Sequence, residues 1–505
     1  MDPGESCKPA GRDARALQLV LVIITALCLV IGGFLVVEMT SKPGYSHLTS
    51  PAIIESMQSS ETKQVAAAVA ASATTSASSA ASASRSLSPA NTLQVTAQSD
   101  FAIHEYSHVF NRHAPHGFLQ WLQMALEHKC VTTVDAYAQI YNDLQPWFAR
   151  GRIHRSDLEL PVDRSAKRNS YSNGSGFMLG LQDLFQRADV KSFEYLQNGW
   201  DEPISLPATD DYKNEIWDKP GDMFEHNSCL RETYDAGDGS RFSQMHSFFM
   251  SPDTFVSVNR LVPMFSQAKA RCYKDLLIPL DHHISITQKG HVNDPIPWDK
   301  KKNVLFWRGA TSDGHHGDRY PLWRQAHRVR LVDWAMQFGK DHPERVFDAG
   351  VEDSSSVEGP LMVDVGFHAI IQCDVGGCKE LQDRFGVKKS VTFEKTKEFK
   401  YLLVVDGNSW PNRLQSYLET NSVILYNGIF NDWFNGQLKP WIHYVPVRLD
   451  LADLDDALQW LHEHDDDARR ISENARALMR GMNEFKQLRC FTGLMFLEYA
   501  ELYEA

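Results

Sequence analysis

Two short apolar runs each break into a loop of glycine, hydroxyls and arginine, and this repeated pattern restricts the fold more than any other feature. They are residues 303–312, NVLFWRGATS, and 400–413, KYLLVVDGNSWPNR. Apolar runs with β-branched and aromatic members suit buried parallel strands. Open α/β sheets hold their ligands just beyond the carboxyl ends of such strands. An arginine there stays charged and presents a planar fork of donors that fits phosphate oxygens. Two such strand ends predict one divided anionic ligand, such as a nucleotide diphosphate.

The pattern around these runs extends the α/β reading. Residues 304–307, 401–405 and 423–426 are expected strands, and 363–373 is expected to be extended. Helices are expected over 320–338, from 413, from 454 with Asp453 as cap, and over 466–482. Strand–helix–strand alternation of this kind argues for a parallel, Rossmann-like sheet. Earlier in the chain, 117–128 patterns as an amphipathic helix. A second helix over 135–144 is expected to stop before Pro146. FVSVNRLVPMF and DLLIPL are the strand candidates before residue 293.

The amino-terminal hundred residues are of a different kind. Residues 16–37 form an apolar run whose one strongly polar member is Gln18. As a helix this run spans roughly 33 Å, enough for a bilayer core. It is too long for the apolar region of a cleaved signal peptide. Lys8, Arg12 and Arg15 precede it and only Lys42 follows closely, which places the amino terminus in the cytosol. Residues 38–100 include an Ala/Ser/Thr tract that could bury little and reads as a stalk open to O-glycosylation. The expected plan is a tail (1–15), a transmembrane anchor (16–37), a stalk (38–100), and domains over 101–295 and 296–490, with a carboxyl-terminal helix or tail over 491–505. That is a single-pass type II protein of the Golgi or ER membrane with its large domains in the lumen. Net charge is −13 with no long basic run beyond the tail, so nucleic acid is a poor partner. Cys130, Cys229, Cys272, Cys373, Cys378 and Cys490 lie beyond the anchor, an even number that an oxidising lumen could pair in several ways. Asn173 begins the one glycosylation sequon.

The elements FWRGATSDG, KYLLVVDGNSWPNRL and LKPWIHYVPVRLDLADL resemble the hallmarks of glycosyltransferase family 90. RHAPHGFLQWLQMAL, WDEP and SQAKARCYKDLLIP are similar to its fungal, capsule-associated branch; animal protein O-glucosyltransferases form another. The resemblance implies a GT-B fold, two Rossmann-like domains facing a cleft. It implies a UDP-glucose or UDP-xylose co-substrate, a glycan or protein acceptor, and inversion at the anomeric carbon. By motif, Arg308, Gly309, Thr311, Ser312, Gly407 and Arg413 fall on elements that line the donor, and Asp201 falls on the implicated catalytic base. Asp406 and Asp432 depart from residues common in other members.

Each assignment has a plainer alternative. Arg308 and Arg413 could be salt-bridge residues, and Asp201 a turn former before Glu202-Pro203. Trp433, Trp441, His443 and Tyr444 could stack on a sugar, with core the preferred place for Trp441. Asp465–Asp467 mimics a D-x-D metal signature but sits where a helix N-terminus favours acids anyway. His282-His283 and His315-His316 lack the helical spacing of zinc enzymes. No cofactor or metal is therefore expected. Two further function classes stay open, a non-catalytic lumenal binding scaffold and a glycoside hydrolase, although no carboxylate pair marks the latter.

Overall fold

The computed structural model describes residues 102–160, 167–172, 178–207, 246–250, 257–258, 260–350 and 359–504. The chain divides into Met1–Ser86 and Leu87–Ala505, and all described residues lie in the second unit. The expected anchor (16–37), the stalk, the Asn173 sequon and Cys229 fall outside them. Among the described residues no helix is long and apolar enough to cross a membrane.

Helix α1 (Phe118–Glu127) forms where its pattern predicts, and buries Phe118, Trp121 and Leu122. The next helix corrects the expectation. Rather than ending before Pro146, α2 runs Ala138–Arg150 with the proline inside. A proline within a helix costs about 3 kcal/mol. Burial of Ile140, Leu144 and Trp147 on the same helix offsets that cost. Asp143 also anchors α2, accepting from the Leu277 amide at 2.7 Å and from Lys269 Nζ at 2.6 Å.

The strands of this half are short. They are β1 (Ile153–His154), β2 (Lys167–Tyr171), β3 (Phe193–Gln197), β4 (Met264–Ser266), β5 (Ala268–Ala270) and β6 (Leu276–Leu277). A four-stranded sheet has the order β2-β3-β4-β6, antiparallel at β2/β3 and otherwise parallel. Only fragments of the two strand candidates enter it. Helix α3 (Asp281–Gln288) leads out of this half.

The second sheet is built on β7 (Lys302–Ala310). Its neighbours are β8 (Met362–Ala369), β9 (Phe399–Val405), β10 (Val423–Asn427) and, beyond the short β11 (Phe430–Asp432), β12 (Val445–Pro446). The order is β12-β10-β9-β7-β8, all parallel. Side chains alternate between faces along a strand. Accordingly Val304 and Phe306 join one core, while Leu305 and Trp307 join another on the opposite face. Both faces being covered is why β7 reads as a continuous apolar run. Helices α4 (His327–Asp341), α5 (Val375–Phe385), α6 (Leu454–Glu463) and α7 (Asp465–Met482) accompany the sheet. The helix expected over 320–338 is split: a 3-10 turn, Pro321–Gln325, precedes α4, with Ala326 in a non-helical conformation between them.

A strand pair and a helix are among the connections that join the halves. β11 pairs antiparallel with β5. Helix α8 (Phe485–Leu502) returns to the first half, where Phe496 stacks on Phe193 and Cys490 is disulfide-bonded to Cys130. A boundary at 490 thus falls inside one helix, and of the helix or tail expected over 491–505 the helix is what forms, with most of residues 491–502 buried in the core. Sequence patterning shows that α8 is apolar but not which half it packs against. β13 (Tyr503–Glu504) closes the chain beside β1. Cys373 bonds Cys378, and Cys272 is also disulfide-bonded.

Candidate active site

The loops that follow β7 and β9 meet at the carboxyl ends of the parallel strands. A register shift between Gly309 and Ala310 turns the end of β7 into its loop. Gly314 N donates to Asn408 Oδ1 at 2.9 Å, tying the two loops together. Arg413 reaches over the strand end and donates from Nη1 to the Arg308 carbonyl at 2.6 Å. Among the described residues Arg413 has no carboxylate partner.

Arg308 is held differently. Its guanidinium is buried against Asp364 at 2.8 Å and Asp348 at 3.2 Å, on the neighbouring strand and the turn before it. Asp364 also receives Lys388 Nζ at 2.8 Å. Of the two alternatives open for Arg308, the ion pair describes its side chain. Its carbonyl, not its guanidinium, meets the second loop.

The other motif residues shape the loops. Thr311 is buried, with Oγ1 donating to the Ile371 carbonyl and accepting from the Ile371 amide, both at 2.7 Å. Ser312 Oγ accepts from Arg328 Nη1 at 2.9 Å. A Cβ on Gly407 would come within 3.0 Å of both Arg328 Nη2 and the Ser312 carbonyl, so the close approach of the loops favours glycine. Gly309 is required for another reason, since a Cβ there would lie 2.3 Å from the Trp307 indole. Gly309→Ala is expected to cost roughly 1–3 kcal/mol through overpacking. Denaturant unfolding of the variant checks this; an unchanged midpoint would mean the indole moves freely.

Arg328, at the start of α4, is a residue that sequence reasoning passed over. It is buried and donates to the carbonyls of Ala310 (2.8 Å) and Asp406 (2.7 Å) as well as to Ser312. One guanidinium thereby braces both loops. Burial chiefly, opposed by Asp313 and assisted by Arg413, pulls it down to about 10, which leaves it charged at neutral pH. His368, at the end of β8, is lowered by burial and then by the charges of Arg413, Arg308 and Arg328. Arg413 and Arg328 both reach carbonyls at these strand ends, and cations so placed attract anions. Asp406 is a buried hub: Oδ2 accepts from the Ile429 amide at 2.6 Å and faces His246 Nε2 at 3.3 Å.

Asp201 lies in the turn after β3. Asn198 organises this turn, its Oδ1 accepting from Trp200 N and its Nδ2 donating to the Glu202 carbonyl. Asp201 Oδ1 accepts from Gln267 Nε2 at 2.9 Å, and its carbonyl accepts from Ser409 Oγ at 2.6 Å. Ser409 belongs to the loop that carries Gly407 and Arg413, so the structure brings the two halves of the candidate site together. Burial raises the Asp201 carboxyl, opposed by His282 and the Gln267 bond. Burial, a backbone bond opposing it, and Asp201 beside it leave Glu202 at about 7. His282 Nε2 contacts the Asn412 carbonyl at 3.1 Å and packs edge-on against Trp410.

The remaining candidates have structural partners. Asp432 pairs with His283 at 3.1 Å inside the core. Asp465 accepts from Trp298 Nε1 at 2.8 Å and from Lys400 Nζ, and Asp467 accepts from Arg470. His316 faces Asp313 at 3.2 Å. Trp433 is core, but Trp441 corrects its expected placement: it is 40% exposed, at φ 61°, with its ring edge-on to Trp460.

Residues 284–505 match the family described as Glycosyl transferase family 90. That match includes both loops and excludes Asp201. Protein O-glucosyltransferase 2 of Danio rerio is 29% identical over 42% of this chain and 35% of its own length. Protein O-glucosyltransferase 1 of Homo sapiens is 28% identical over 41% of this chain and 43% of its own. Uncharacterized protein 035R of Invertebrate iridescent virus 3 is 30% identical over 67% of this chain but 27% of its own. The chain thus spans well under half the length of these curated relatives.

Proposed function

We propose, from the match of residues 284–505 to glycosyl transferase family 90, that the chain is an inverting glycosyltransferase that uses a UDP-sugar. The observation that carries the reading is the junction of the two loops. Arg413, a cation with no carboxylate partner among the described residues, shares a loop with Ser409, which is bonded to the turn of Asp201. The diphosphate lies at the ends of β7 and β9 and the acceptor hydroxyl lies beside Asp201. This reading takes the two halves as the two domains of a GT-B enzyme, with donor and acceptor meeting at that junction.

The acceptor oxygen attacks the anomeric carbon, its proton passes to the Asp201 carboxylate, and the bond from that carbon to the diphosphate breaks. Negative charge grows on the departing phosphate, where Arg413 and the field of Arg328 stabilise it. Arg328 also fixes the loops before reaction, so little reorganisation is needed. Glucose and xylose are the donor sugars considered, and the names of the relatives favour glucose and a protein acceptor. The enzyme works in the lumen of the secretory pathway, anchored through residues 16–37.

A UDP-release assay of the purified chain over a panel of nucleotide sugars tests the reading. Turnover with UDP-glucose or UDP-xylose is expected; UDP binding without release from any donor would favour a non-catalytic scaffold. Because arginines supply the charge, activity is expected to persist after exhaustive EDTA treatment. Loss of activity restored by manganese would overturn that expectation.

A further inference from the structure

A second cleft lies at the other end of the five-stranded sheet. It has a volume of about 600 Å³ and is walled by α4 and α6. Leu361, just before β8, and His462 of α6 line it, and Asn303 Nδ2 at the amino end of β7 contacts that His462 at 3.1 Å. The nine residues of β7, at about 3.3 Å each, separate it from the Arg413 loop by the length of the strand. Nothing in the proposed transfer reaction uses it.

Its lining has a particular chemistry. Trp334 and Phe338 pack with ring centroids 5.5 Å apart and form an aromatic wall, with Trp334 part-exposed. On α4, Gln337 Nε2 donates to Asp341 at 2.9 Å; on α6, Gln459 Nε2 donates to Glu463 at 2.9 Å. Each helix thus shows an exposed amide–carboxylate pair to the same cleft. Such a pair offers donors and acceptors side by side, matching neighbouring hydroxyls that donate and accept at once. An aromatic wall with a few placed polar groups, at this volume, fits a small-ligand cleft.

Charge narrows the class. Asp341, Asp455 and Glu463 line the cleft, which disfavours phosphorylated, sulfated or uronic ligands. Arg345 offsets only one of the three, and its guanidinium is held 4.8 Å over the Phe338 ring with a bond to the Leu361 carbonyl. A basic peptide would call for several free carboxylates, yet two of the three, Asp341 and Glu463, already hold amides. We propose that the α4/α6 cleft binds a neutral oligosaccharide, remote from the site of transfer.

The test is binding, read without turnover and so independent of the proposed enzyme activity. The purified full chain is titrated calorimetrically with cellohexaose, maltohexaose, xylohexaose and mannohexaose. At least one is expected to bind. The Gln337→Ala/Gln459→Ala variant, altered only at exposed side chains, is expected to lose at least tenfold in affinity. Trp334→Phe keeps a smaller ring in place and should lose severalfold. Binding of none of the four sugars, or unchanged affinity in the double variant, overturns the proposal. Hexalysine binding in their place, abolished by the double variant, would overturn it in favour of a basic peptide.

Discussion

Asp201→Asn is expected to lower kcat by about 10²–10⁴-fold, the usual span for losing a general base. The amide keeps the size of the side chain and can still meet Gln267, so the turn organised by Asn198 should survive. What is lost is a carboxylate able to take the acceptor proton. UDP affinity should barely change, because Arg413 and the braced loops hold the donor. The base must be deprotonated to act. Since burial raises Asp201, the rate should begin to fall at a higher pH than for a free aspartate as the solution is acidified. Glu202, at about 7, is the rival. If Glu202→Gln abolished turnover and removed a limb of the pH–rate profile near neutrality while Asp201→Asn did not, the base would be Glu202. Wild-type rates in Asp201→Asn would reduce Asp201 to a turn residue.

The second large effect separates two arginines that look alike in sequence. Arg413→Ala should weaken UDP binding by roughly 1.5–3 kcal/mol, one charge-assisted hydrogen bond, with little change in stability. Arg308→Ala should behave in the opposite way. It leaves Asp364 in the core with Lys388 as its one remaining cation and the Ala349 amide as a further donor. Removing one member of a buried ion pair costs about 3–5 kcal/mol, and Lys388 should hold the loss near the lower figure. Calorimetry with UDP and chemical unfolding on both variants read the contrast. A stable Arg308→Ala chain with lost UDP affinity would return Arg308 to the phosphate site.

The strands were legible in sequence because β7, β9 and β10 are buried on both faces and read as apolar runs. Their ends were legible because glycine and arginine stand out after such runs. What sequence could not show is the direction of a side chain across a sheet. Arg308 alternates onto the face that holds Asp364, a residue distant in the chain, and no local pattern marks that pairing. Arg328 was missed for the same reason: it sits among other arginines near the start of a helix, and its role comes from carbonyls at two strand ends. Pro146 misled because propensity is local, whereas the burial of Trp147 and Leu144 is tertiary. Helix α8 reads as apolar in sequence, but its docking beside Phe193 and Cys130 depends on the whole fold. Asp201 was reached by resemblance alone, and its contact with Ser409 is visible only in three dimensions.

Hydrogen–deuterium exchange of the full chain with and without UDP tests the central claim most directly. The account predicts slowed exchange in residues 309–314 and 406–413, the two loops that Arg328 braces and Arg413 closes. The α4/α6 cleft should be unaffected. Unchanged exchange in both loops at saturating UDP, with protection elsewhere, would contradict the placement of the donor at these strand ends.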